Sequence, residues 1–179
     1  MTILQILLPN IWKYDTMEDM SPQVDATEQV LESLNEALKA ELTAIHQYLL
    51  HAKVCQSWGY SRLAEYNRKE SLEEFAHAEA LMERILALNA TPNMTDISAI
   101  KDCNDVKEQF ESDLALEVDA VTRLNDAVKV ASHGGDSVSS QLFAKILADE
   151  DHHVGYLESQ LHIIGEIGLD NYLAQQIQK

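Results

Sequence analysis

The chain has 179 residues and a formal net charge of -17, with 46% apolar residues, 6% aromatic residues and three prolines. That fits one domain with a single core, built from long helices and lacking strand signals. So acidic a surface argues against nucleic-acid recognition and would instead attract cations. Cys55 and Cys103 form no Cys-x-x-Cys, which argues against a disulfide framework or a structural zinc site and makes a reducing cytoplasm the expected compartment.

Residues 1–23 read as an N-terminal extension. Ile3 to Trp12 is apolar but short, is broken by Pro9-Asn10, and lacks both a basic leader and a small-residue cleavage site. It is therefore expected to be neither a signal peptide nor a membrane span. A mobile tail, sequence upstream of a start at Met17 or Met20, and a docking peptide are the readings open to it. Residues 24–179 form the helical domain. Its first helix is predicted over about Asp25–Ser57, with Trp58-Gly59-Tyr60 as stop and turn. The second starts near Ser61, whose hydroxyl is assigned as the N-cap, and reaches about Asn89. Thr91-Pro92-Asn93 breaks the pattern, and Ala90–Asn104 lacks a long period, as a crossover between two helical hairpins should. A third helix follows over Asp105–Ser132 and ends at His133-Gly134-Gly135-Asp136. The fourth covers Ser137–Gly165, and a short fifth runs from Leu169 to Gln178. The expected fold is all-α: a four-helix bundle with a long crossover and a short C-terminal helix.

One pattern occurs twice. Glu41 is followed 33 residues later by Glu74 in Glu74-Phe75-Ala76-His77, and Glu117 is followed 33 residues later by Glu150 in Glu150-Asp151-His152-His153. Helical positions i and i+3 share a face, so a carboxylate and an imidazole at that spacing can address one ion. All six residues fall inside the apolar stripes of their helices. Buried, ionised and unpartnered carboxylates would cost several kcal/mol each. Arg62, Arg68, Lys69, Arg84, Arg123 and Lys145 mostly lie off these stripes. Two divalent cations would balance the four glutamates, and oxygen plus nitrogen donors suit iron or manganese. Glu41, Glu74, His77, Glu117, Glu150 and His153 are thus the candidate metal ligands and catalytic residues.

Tyr48 lies two turns from Glu41 on the same face, where it either bonds a ligand carboxylate, supplies an electron, or simply packs with a satisfied hydroxyl. His152 points about 100° away from His153 and belongs on the surface. The Asp149–His152 spacing reads as incidental, and His46, His51, His133 and His162 as structural or exposed.

From about Val24 onward the chain resembles bacterioferritin. The segments that carry the likeness are Leu34-Asn35-Glu36-Ala37-Leu38, Glu41-Leu42-Thr43-Ala44-Ile45-His46-Gln47-Tyr48, His77-Ala78-Glu79 and Glu83-Arg84-Ile85-Leu86. They continue with Ser112-Asp113-Leu114-Ala115-Leu116-Glu117, Asp149-Glu150-Asp151-His152-His153 and Leu169-Asp170-Asn171-Tyr172-Leu173. Single glutamates on two helices with Glu-x-x-His on the other two is the known ligand pattern of ferritin-like di-metal bundles. The resemblance implies iron storage: a twenty-four-subunit shell, ferrous iron oxidised by dioxygen or hydrogen peroxide at an intrasubunit di-iron ferroxidase centre, and a ferric mineral inside. It assigns Glu41 and His77 to one iron, Glu117 and His153 to the other, and Glu74 and Glu150 to the bridge. Phe75 stands where haem-binding members have methionine, so a homo-oligomer is expected to lack haem b, and a mixed shell with a haem-binding subunit would regain it at some interfaces. Met82 reads as core rather than a substitute ligand. The alternatives are another di-metal oxidoreductase such as a manganese catalase, or a non-catalytic or haem-partnering shell subunit. Rubrerythrin-like chemistry is disfavoured by the missing Cys-x-x-Cys. Neither a nucleic-acid partner nor a membrane is expected.

Overall fold

Four long helices and one short one make up the computed structural model, which describes residues 26–177: α1 (Ala26–Trp58), α2 (Ser61–Ala87), α3 (Val106–His133), α4 (Ser137–Ile167) and α5 (Leu169–Ala174). The all-α expectation holds, and no strand occurs among the described residues. The extension assigned to residues 1–23 and the outermost helix residues expected, Asp25 and Gln178, lie outside the described residues.

Helix ends depart from the sequence reading for local reasons. Gly59 takes φ 86°, which lets its N–H reach Gln56 O at 3.2 Å while Tyr60 N–H reaches Cys55 O at 2.9 Å. This paired closure satisfies the last carbonyls of α1. Tyr60, rather than Ser61, is the capping residue of α2, and no side chain caps it. The Ser61 assignment was therefore wrong: the preceding turn already fixes the chain's entry into the helix. Asn89, at φ 59°, ends α2 in the same way, with Ala90 N–H on Ile85 O at 3.2 Å. Asparagine tolerates the left-handed region better than most residues, so α2 stops two residues before the expected end. α4 instead runs through Gly165 to Ile167. α5 ends at Ala174, four residues short of expectation.

The two hairpins bury apolar clusters at opposite ends of the bundle. One gathers Leu34, Leu38, Leu81, Ile85, Leu124, Phe143 and Ile146. The other gathers Cys55, Leu63, Phe110, Leu157, Ile164 and Tyr172. Each long helix contributes to both clusters, and the polar residues of its stripe fall between them. All candidate ligands therefore sit at one height in a mid-bundle belt.

The crossover is fastened to α1 by side chains four residues apart. Asn35 accepts from Asn93 N–H at 2.9 Å, Lys39 pairs with Asp96 at 3.1 Å, Thr43 accepts from Ser98 N–H at 3.0 Å, and Gln47 brackets Lys101 by accepting its N–H at 2.8 Å and donating to its carbonyl at 3.0 Å. The i, i+4 spacing keeps these groups on one face, where they bind an otherwise irregular backbone.

Candidate metal centre

Each long helix brings its share of the centre to the belt: Glu41 from α1, Glu74 and His77 from α2, Glu117 from α3, Glu150 and His153 from α4. All six are buried. His77 Nδ1 lies 3.1 Å from Glu74, 3.2 Å from Glu150 and 3.7 Å from Glu41. His153 Nδ1 lies 3.0 Å from Glu150, 3.3 Å from Glu74 and 3.9 Å from Glu117. The donor atoms form two groups, Glu41, Glu74, His77, Glu150 and Glu74, Glu117, Glu150, His153, each with its atoms within 4.8 Å of one another. Glu74 and Glu150 belong to both, so each can offer one oxygen to either position.

Behind each imidazole stands a further carboxylate. His77 Nε2 faces Asp149 at 3.3 Å, and His153 Nε2 faces Glu70 at 3.0 Å. A carboxylate on the outer ring nitrogen fixes the tautomer and leaves Nδ1 free for a metal. Asp149 therefore has a partner that its spacing to His152 does not reveal: His152 is exposed, and the contact is made across α2 and α4. Glu70 lies on the buried face of α2, but its partner comes from α4 and no spacing along α2 reveals it. Tyr48, fully buried, donates its hydroxyl to Glu117. Of the roles open to it, bonding a candidate ligand carboxylate is the one its geometry adopts.

The pKa directions follow from crowding acids in a dry site. Burial pushes Glu41 well above the usual carboxylate range, partly offset by its hydrogen bond to His77. Burial and the neighbouring Glu74 and Glu150 do the same to Glu117. Burial acts to raise Glu74 too, but hydrogen bonds from His153 and His77 outweigh it and hold the acid at about 2. Burial works against both imidazolium ions, yet carboxylates led by Glu150 raise His77 far above its ordinary value and bring His153 to about 11. Bound protons and bound cations would therefore compete to compensate the same buried charge.

Two cavities flank the belt. One of about 180 Å3 runs between α1 and α3, past Ala40, Ala44 and Ala120, to Glu41, Glu74, Glu117 and Glu150, with Lys39, Ser98 and Arg123 also in its lining. The other, of about 460 Å3, opens between α2 and α4 at Glu70, Glu73, Asp149 and His153 beside the stacked rings of Tyr66 and Tyr156. There Glu70, Glu73 and His153 form a third acidic group, which Lys69 partly neutralises from 3.1 and 3.0 Å.

Of the other residues read from sequence, His46, His133 and His162 are exposed, and Met82 packs on the apolar cluster of Leu81 and Ile85. Phe75 is 48% exposed on α2. His51 is buried against Asp113, a pairing that spacing within one helix could not show.

The fold and the paired carboxylate–imidazole groups define a ferritin-like protein, and the family model described as a ferritin-like domain matches residues 31–167. Among curated relatives, bacterioferritin of Mycobacterium leprae is 44% identical over 150 residues, covering 84% of this chain and 94% of that one. Bacterioferritin of Streptomyces coelicolor is 43% identical over 151 residues, covering 84% of this chain and 90% of the other. The solved structure of Mycobacterium tuberculosis bacterioferritin, BfrA, superposes with a TM-score of 0.82 at 42% identity, over 83% of this chain and 94% of that one. The chain belongs to the bacterioferritin family.

Proposed function

We propose that this protein stores iron by oxidising ferrous ions at an intrasubunit di-iron ferroxidase centre and holding the ferric product in a twenty-four-subunit shell. The observation that carries the reading is the pair of four-residue donor groups sharing Glu74 and Glu150. Glu41 and His77 hold one ferrous ion, Glu117 and His153 the other, and Glu74 and Glu150 bridge them, keeping the ions about 3.5–4 Å apart with positions left for dioxygen or hydrogen peroxide. Ferrous iron is the substrate, each ion giving up one electron. The acidic surface of the chain supports cation capture. Anaerobic ferrous titration is expected to saturate near two ions per subunit and to give a fast oxidation phase on adding oxidant. Glu74→Ala should abolish both, and a variant that oxidises as fast as wild type would favour a non-catalytic shell subunit. Manganese rather than iron in the purified protein would favour a manganese enzyme on the same bundle.

Phe75 supports a shell without haem b when only this chain is present, because a phenyl ring offers haem iron no ligand. Co-assembly with a haem-binding subunit would restore haem at mixed interfaces. The reducing cytoplasm is the compartment proposed for it. No helix among the described residues is long and apolar enough to cross a membrane.

A further inference from the structure

Two phenols face each other beside the metal centre. Tyr66 of α2 and Tyr156 of α4 stack with ring centroids 4.3 Å apart and planes 24° from parallel. The other ring contacts among the described residues are edge-on, Trp58 with Tyr60 at 72° and Phe110 with Tyr172 at 79°. Of the three, this pair alone sets two phenols face to face. Packing does not call for the hydroxyls, since both rings rest on the apolar cluster that contains Leu63 and Leu157, where phenylalanine would fill the same space. The Tyr66 hydroxyl is buried without a hydrogen-bond partner, which costs stability that a phenyl ring would not.

The pair adjoins the candidate ligands. Tyr156 follows His153 by three positions and Tyr66 precedes Glu70 by four, so each ring lies about one turn along its helix from the Glu70–His153 contact at 3.0 Å. All four residues line the cavity that opens between α2 and α4. Burial, followed by the charge of Glu70, holds both phenols protonated, Tyr156 above its ordinary value and Tyr66 far above. Neither becomes a phenolate at neutral pH, so the pair stays unreactive until an oxidant draws electrons from it.

We propose that Tyr66 and Tyr156 are an oxidative cross-linking site, joined as dityrosine when hydrogen peroxide reaches a metal centre that has no ferrous iron left. The proposal rests on the ferroxidase reading. One peroxide oxidises two ferrous ions; its O–O bond breaks, and its oxygens take up two protons and leave as two waters. With the ferrous ions spent, the two electrons come from the phenols, one from each, and the two O–H protons go with them into the same two waters. The ring radicals then pair. A carbon–carbon bond forms between the carbons ortho to the two oxygens, and the hydrogens on those carbons move to the oxygens, restoring both hydroxyls. One peroxide and two tyrosines thus give one dityrosine and two waters. Stacking matters because the new bond grows along the π-orbital axes, perpendicular to the ring planes, whereas rings at 72° or 79° present an edge. The product ties α2 to α4 across the cavity.

The test loads the full-length protein anaerobically with two ferrous ions per subunit and adds rising amounts of hydrogen peroxide. Dityrosine fluorescence is read, and the peptides are mapped by mass spectrometry. The expected result is no cross-link up to one peroxide per two ferrous ions, then a Tyr66–Tyr156 peptide lighter by two hydrogens than its separate parts. Tyr66→Phe and Tyr156→Phe should each lose it, and so should Glu74→Ala, which lacks a working centre. A wild type that stays uncoupled in excess peroxide would overturn the proposal, as would one that couples other tyrosines equally well. So would wild-type yield in Glu74→Ala, since free iron and peroxide would then be the cause. A second arm treats the metal-free protein with a light-driven ruthenium oxidant and persulfate, which makes tyrosyl radicals without the centre. Coupling of Tyr66 to Tyr156 is expected there too, and its absence overturns the proposal on geometry alone. A wild type with no fast ferrous oxidation sinks the ferroxidase reading instead, and the light-driven arm still decides whether the pair can be joined.

Discussion

Metal binding at this centre should displace protons in numbers set by the raised acids and imidazoles. His77 stands far above its ordinary value, His153 at about 11, and Glu41 and Glu117 well above the carboxylate range. A raised pKa means that the proton is held as pH falls through neutrality, so acid favours the protonated site and binding strengthens as pH rises. Two imidazolium protons and two carboxyl protons per pair of cations predict a release of between two and four. Each displaced proton weakens binding about tenfold per unit of acidification, or about 1.4 kcal/mol. At four protons per pair, affinity should change roughly a hundredfold per ion for each pH unit. Anaerobic Co2+ titration across pH 6–8, with proton counts from calorimetry in buffers of different ionisation enthalpy, measures both quantities without oxidation. Release of less than one proton per pair at neutral pH would refute the argument, because the compensation of buried charge would then lie elsewhere.

Three further outcomes are expected. Phe75→Met should bring a haem absorption band when the protein is expressed with haem available, while ferrous saturation stays as in wild type; a colourless protein would count against a purely local cause. Asp136→Ala removes the cap on Ser139 N–H and the partner of Arg84, and should cost about 1–2 kcal/mol in denaturant melts. Arg84 holds the Asp136 carboxyl, despite its partial burial, down at about 2, so this contribution should be present at neutral pH and fade only as pH falls from 3.8 toward 2. Gln47→Leu should lose about 1–3 kcal/mol by leaving the Lys101 backbone groups short of partners, with faster hydrogen exchange at Lys101.

Much of the fold was legible because the helices are long and strongly periodic. Their ends were less so: Ser61 looks like a cap by residue type, but Gly59 and Tyr60 had already closed α1, and Gly165 reads as a stop although no positive φ is imposed there. Spacing also singled out the six central residues, since each Glu-x-x-His is a local statement. The partners of Asp149, Glu70 and His51 are hidden from the sequence because each contact crosses between helices. Only the packing of α2 on α4 and α1 on α3 brings the partners together, and no offset along a single helix encodes that.

The Asn35, Lys39, Thr43 and Gln47 fastenings bear on which two hairpins make up one bundle. Stitched along α1 at four points, the crossover holds α3 against its own first hairpin, so the bundle is closed within a single polypeptide.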